Sequence, residues 1–174
     1  MRLFLAIRLP EPVIQFAVEL QERLKPAIAR QGVRFASPAK MHLTLAFLGD
    51  DMDPDRADSI ARSCLAGRGP VQLASGTLGA FPDVARPRAI WLGVNGFGLT
   101  ELVASLSQAL ELKDEPYQGH ITLARVSPGS KAVGKALKPF LLQDREAITW
   151  RVDEVDLLTT GPDGDYQKLN QYFL

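Results

Sequence analysis

The chain has two histidines, and both open the same short pattern: His42-Leu43-Thr44-Leu45-Ala46 and His120-Ile121-Thr122-Leu123-Ala124. Leu, Ile and Thr favour strands, and alternate side chains of a strand share a face. His42 and Thr44 therefore point one way and Leu43 and Leu45 the other. His120 and Thr122 stand in the same relation to Ile121 and Leu123. A fold that holds both copies must bury two aliphatic strand faces and present two imidazole–hydroxyl pairs. Two such strands from two similar halves bring both pairs around one cavity.

The rest of the chain reads as strands and helices in loose alternation. A first strand spans 2–8. Pro10-Glu11-Pro12 ends it and starts a helix, proline being suited to the first turn. Val13, Phe16, Ala17, Leu20 and Leu24 carry helical spacing to about Ala29. A short strand at Val33–Phe35 precedes the first motif strand, His42–Leu48. Asp53-Pro54 caps a helix that runs to about Ala66. Strands at 71–78 and 88–94 enclose a Pro-rich turn, and Asn95–Gly98 leads into a helix over 99–110. A polar link at 113–116 precedes the second motif strand, 120–126, and a helix over 131–141. A strand at 147–159, a polar turn at 161–164 and a last strand or extended tail at 166–174 complete the reading. The pattern predicts an α+β fold of two lobes related by a pseudo-twofold axis. Each lobe is mainly antiparallel sheet with outer helices, and a central groove carries the two motif strands. No long linker interrupts the sequence, so residues 1–174 are expected to fold as one domain with one motif per lobe.

A formal net charge of zero argues against long-range gripping of extended nucleic acid. It leaves room for a local anion site at a strand end. One cysteine, Cys64, rules out an intramolecular disulfide. The N-terminal apolar run is interrupted by Arg8 and followed by Pro10-Glu11-Pro12, too short for a signal core or a membrane span. The protein is expected to be cytoplasmic.

An imidazole titrates near neutrality, so one can accept a proton and another donate one. Two of them on opposite sides of a substrate make a matched base and acid. Thr44 and Thr122 have no evident activating partner and serve better as hydrogen-bond donors to non-bridging phosphate oxygens. Base, acid and two neutral donors suit in-line displacement at a phosphodiester. A zinc site wants three or four ligands, and two histidines without clustered carboxylates or thiolates do not supply them. There is no Walker loop or Rossmann fingerprint. No metal and no cofactor are expected.

These residues resemble the two-histidine (2H) phosphoesterase superfamily, defined by paired His-x-Thr-x motifs. Within it, the chain is similar to the RNA 2′,3′-cyclic phosphodiesterases, also called 2′-5′ RNA ligases. The likeness runs through Arg2–Ile7, the block His42–Gly49 (HLTLAFLG), Trp91–Val94 (WLGV), the block His120–Arg125 (HITLAR) and Tyr166–Leu169. It implies metal-independent opening of an RNA terminal 2′,3′-cyclic phosphate to a 2′-phosphate, with His42 as proton donor and His120 as proton acceptor. It further implies ATP-independent 2′-5′ ligation when a 5′-hydroxyl RNA end replaces water. Thr44 and Thr122 then hold the phosphate. The resemblance also makes Phe47 and Arg125 flank the terminal base. They stand at the same odd offset from their histidines, so a regular strand turns them away from the cavity. The assignment requires each strand to bend or bulge near its motif. Tyr117 and Tyr166 are further candidates for the groove lining, and Trp91 reads as core packing.

The chain departs from the family at Gly119, where proline commonly precedes the second histidine, and at Tyr117, where Phe is usual. The segments before Tyr117 and over 160–165 are short. The expected partners are RNA 3′ ends with a cyclic phosphate, bound by a monomer away from membranes. The competing readings are a phosphodiesterase for a small cyclic phosphate or cyclic oligonucleotide, and a non-catalytic nucleotide-binding module.

Overall fold

The computed structural model describes every residue except Met1, Gln31 and Asp114; the side chain of Lys131 also lies outside the description. Strand β1 (Leu3–Arg8) leads into helix α1 (Glu11–Ile28), strand β2 (Val33–Phe35) and a 3₁₀ turn at Pro38–Lys40. Then follow β3 (His42–Gly49), α2 (Pro54–Leu65), β4 (Val71–Phe81), β5 (Ala89–Phe97) and α3 (Leu99–Ala109). The chain ends with β6 (His120–Val126), α4 (Lys131–Leu141), β7 (Thr149–Val152), β8 (Glu154–Thr160) and β9 (Tyr166–Phe173). The helices begin where the sequence marks them. Pro12 sits in the first turn of α1, whose Val13, Ala17, Leu20, Leu24 and Ile28 are buried on one face. The Asp53 side chain accepts the Asp55 N–H at the start of α2, and Ala57, Ala61 and Leu65 face inward.

Among the described residues, nine strands form one antiparallel sheet in the order β7-β4-β5-β6-β3-β1-β8-β9, with β2 off this path, paired with the Ala124–Val126 end of β6. The two motif strands, β3 and β6, meet at its centre through a single register pair, Leu43 with Ile121. The order outward from that seam repeats. Beside each motif strand lies an earlier strand joined to it through a helix-containing stretch, β1 beside β3 and β5 beside β6. The next strand comes from the other half, β8 beside β1 and β4 beside β5. On the helical side, α1 touches α4 and α2 touches α3. This is the expected α+β architecture of two pseudo-twofold-related lobes. Leu43, Leu45, Ile121 and Leu123 are buried in the large core. Phe4, Ala6 and Leu158 form a separate small cluster, and Ala6 is the register partner of Thr44. No helix among the described residues is long and apolar enough to cross a membrane.

Two local expectations need correction. The stretch 147–159 is two strands, β7 and β8, on different halves of the sheet. Asp153 turns the corner; its carboxylate accepts from Arg151 Nε at 2.9 Å and its carbonyl from Leu174 N at 2.9 Å. No Gly or Pro marks the break, because the curl of the sheet demands it rather than any local preference. The strands expected at 71–78 and 88–94 extend to Phe81 and Phe97, pairing from Gln72–Phe97 to Phe81–Ala89. The glycines there look like turn residues but sit where backbones and rings pack closely: a Cβ on Gly79 would lie 2.2 Å from the Trp91 ring. Asp114 of the polar link at 113–116 lies outside the described residues.

Candidate active site

Both motif strands carry a register shift at the same place. On β3, Thr44 pairs with Ala6 and Ala46 with Leu5, leaving Leu45 as the extra residue. On β6, Thr122 pairs with Trp91 and Ala124 with Ile90, leaving Leu123 as the extra residue. A bulge of this kind resets the alternation of faces. The histidine and threonine of each strand are half-buried, the next two residues are buried, and the following one, Phe47 or Arg125, is exposed. The bend that the two assignments require is therefore present in both strands.

All six residues singled out in the sequence, His42, Thr44, Phe47, His120, Thr122 and Arg125, line one cavity of about 550 Å³. Leu43 opposite Ile121 sets the register at the seam. In that register His42 falls opposite Thr122 and Thr44 opposite His120.

The two imidazoles are held alike. His42 Nδ1–H donates to the Lys40 carbonyl at 2.8 Å, and His120 Nδ1–H donates to the Gln118 carbonyl at 2.8 Å. A carbonyl can only accept, so the proton is fixed on Nδ1 and Nε2 is left for chemistry. Aromatic rings clamp each one. Phe4 and Tyr166 stand 5.4 and 5.0 Å from the His42 ring centroid; Phe81 and Trp91 stand 4.9 and 6.0 Å from that of His120. Burial among these rings lowers the pKa of both histidines, partly offset by the carbonyl hydrogen bonds. The Arg125 charge lowers both further, and for His42 the charge of His120 adds to it.

Side chains from elsewhere support the two bulges. Gln21 of α1, only 4% exposed, donates from Nε2 to Ala36 O and to Leu123 O, each at 2.8 Å. Tyr117 Oη donates to Thr44 O at 3.0 Å, and burial raises its pKa. Tyr117 thus braces β3 from outside the cavity, whereas Tyr166 lines it. Trp91 is half-buried beside His120 rather than plain core. At Gly119 a Cβ would lie 2.5 Å from Val94 O, so the strand approach here fits no side chain. Replacing Gln21 with leucine is expected to cost about 1–3 kcal/mol, because Ala36 O loses its buried donor. Urea unfolding would then show a lower midpoint at unchanged slope; a wild-type midpoint would show that the amide holds nothing.

Sequence reading did not find Arg2, Arg34, Lys40 and Phe4, which also line the cavity. Phe4 comes from β1, Arg2 from the residue before it, Arg34 from β2 and Lys40 from the 3₁₀ turn, and only tertiary pairing brings them to the motifs. Lys40 Nζ pairs with Asp165 at 2.7 Å and donates to Gly164 O at 3.0 Å. The Asp165 contact, outweighing some burial, raises the lysine's pKa. Among the described residues, no group of three or more His, Cys, Asp and Glu side chains is placed to hold a metal ion.

The profile of the 2′-5′ RNA ligase superfamily matches residues 9–164. The RNA 2′,3′-cyclic phosphodiesterase of Methanothermobacter thermautotrophicus is 30% identical, the match covering 90% of this chain and 88% of that protein. The protein of the same description from Thermus thermophilus is 32% identical over 88% of this chain and 78% of its own. The crystal structure of TT0787 of Thermus thermophilus superposes with a TM-score of 0.76 at 25% identity, covering 100% of this chain and 98% of the other. E. coli LigT complexed with 3′-AMP shares the fold, with a TM-score of 0.68 at 24% identity over 99% and 97% of the two chains. The doubled motif, its two matching bulges and the near-complete length of the match agree: the chain belongs to the 2′-5′ RNA ligase superfamily.

Proposed function

We propose that this protein is a metal-independent RNA 2′,3′-cyclic phosphodiesterase that leaves a 2′-phosphate. The observation that carries the reading is the pair of imidazoles lining one cavity, each with Nδ1–H committed to a backbone carbonyl and each beside a threonine hydroxyl. Names of relatives that share most of the chain's length support it.

Water attacks phosphorus in line with the O3′ leaving group. His120, neutral, takes the proton from water as the P–O bond forms. His42, protonated, gives its proton to O3′ as the P–O3′ bond breaks. The negative charge that grows on the non-bridging oxygens is met by the Thr44 and Thr122 hydroxyls. The histidines finish with their protonation exchanged and return to the starting state through solvent. Phe47 offers a ring face to the terminal base, and Arg125 a guanidinium to the same nucleotide. With a 5′-hydroxyl RNA end in the role of water, the same steps in the same direction form the P–O5′ bond as P–O3′ breaks, and make a 2′-5′ linkage without ATP. The working form is a monomer in the cytoplasm; one chain supplies both motifs, so no second copy is needed to complete the site.

The test is the product formed from an RNA ending in 2′,3′-cyclic phosphate, incubated in chelator and read by phosphorus NMR. The expected product is the 2′-phosphate alone. Nucleotide affinity without turnover, at any pH through the imidazole range, would leave a binding module instead. Turnover confined to small cyclic phosphates would move the substrate away from RNA.

A further inference from the structure

The formal charge of the chain is zero, yet the cavity lining gathers Arg2, Arg34, Lys40 and Arg125 and includes no carboxylate. Lys40 is compensated by Asp165. Arg8, next to His42 on β1, is likewise paired, with Asp156, and lies outside this lining. Among the described residues, Arg34 and Arg125 have neither an ion-pair partner nor a side-chain hydrogen bond.

Their placement is more particular than a basic rim. Arg34 on β2 is the direct register partner of Arg125 on β6, and both are exposed on the cavity side. Like charges directly opposite each other on neighbouring strands oppose folding. β2 cannot swing away to relieve them. It is pinned to β6 by Ala36 N to Leu123 O at 2.9 Å and by the Gln21 amide bridging Ala36 O and Leu123 O. The two arginines are thus held directly opposite each other on neighbouring strands, both lining the cavity. An arrangement that breaks a local stability rule points to a function that needs it. Two paired guanidiniums match the geometry of a phosphate group. A cyclic phosphate carries one negative charge and already has two imidazoles and two hydroxyls around it.

We propose that Arg34, paired across strands with Arg125, forms a second anion subsite that holds the phosphodiester one nucleotide upstream of the cyclic phosphate. The subsite makes the protein select polynucleotide ends over cyclic mononucleotides. The inference rests on the phosphodiesterase reading given above and adds the residue that recognises the chain behind the reacting end.

The experiment compares kcat/KM on a 2′,3′-cyclic mononucleotide and on the dinucleotide with the same terminal base and cyclic phosphate. A third substrate carries a neutral methylphosphonate in place of the internal diester. The wild type should favour the charged dinucleotide over both others. Arg34→Ala should lose roughly 10- to 100-fold on the charged dinucleotide, mainly in KM. On the mononucleotide it should stay within about twofold, and the methylphosphonate should cost it nothing further. Its salt dependence on the charged dinucleotide should fall by about one unit of slope. Its Tm should be unchanged or higher, because a repulsion has been removed, which a merely structural arginine would not show. Equal losses on all three substrates, or a wild type indifferent to the internal charge, would overturn the second subsite while leaving the phosphodiesterase reading intact. No turnover of any substrate would overturn both.

Discussion

Replacing His42 or His120 with alanine is expected to lower kcat by about 10²–10⁴-fold while leaving the fold in place. Among the described residues each ring makes one hydrogen bond, to a carbonyl at 2.8 Å that can turn to water once the ring is gone. The double variant should be little worse than the poorer single one, since acid and base act in the same step. The pH profile separates their roles. Burial lowers both pKa values below the ordinary 6.5, so kcat/KM in the free enzyme should peak on the acid side of that value. It falls at higher pH as the acid loses its proton and at lower pH as the base gains one. His120→Ala should erase the acidic limb and His42→Ala the alkaline limb; the reverse assignment would exchange donor and acceptor. The two rings interact, so the limbs report apparent values of the pair. The same shifts bear on stability. The unfolded chain protonates these histidines more readily than the folded one, so their contribution is complete above about 6.5 and is lost as pH falls through the lowered folded values. Wild-type turnover in either alanine variant would end the acid–base mechanism.

Thr44→Val and Thr122→Val should each lower kcat by about 10²–10³-fold, the cost of removing one preorganised donor from the transition state. Valine keeps the shape and the strand preference, and both positions are only half-buried. KM should move little, and serine at either position should restore most of the rate. A change confined to KM would assign the hydroxyls to ground-state binding instead.

The catalytic strands were legible because their information is local. An alternating His-x-Thr pattern carries its own face assignment, and two copies in one chain imply one shared site. The helices were legible for the same reason, through Pro10-Glu11-Pro12, Asp53-Pro54 and their apolar spacing. The bulges at Leu45 and Leu123 were visible only as a demand, from the odd offset of Phe47 and Arg125; nothing in Leu-Ala itself signals an extra residue. Arg34 and Arg2 were out of reach, and Tyr166 was legible only as one of two candidate tyrosines for the groove. Arg34 gains its place from a strand pair closed only when β6 is made, and Tyr166 reaches the His42 ring from β9. The split of 147–159 was hidden because Val-Asp-Glu-Val reads as uninterrupted strand, and only the sheet's curvature assigns its two ends to different neighbours.

Those crossed neighbours govern the order in which the molecule can assemble. β1 is made before the other strands of the sheet, yet its second partner, β8, which holds Leu3 against Thr159, is made long after it. A nascent chain that has made only the first motif therefore waits with an open β1 edge that neither β2 nor β4 can cover. Contacts so distant in sequence slow folding and lengthen exposure to aggregation. The sheet around the imidazoles closes only once β8 has been made and has paired with β1, so a fragment that stops after the first motif carries the motif without the catalyst.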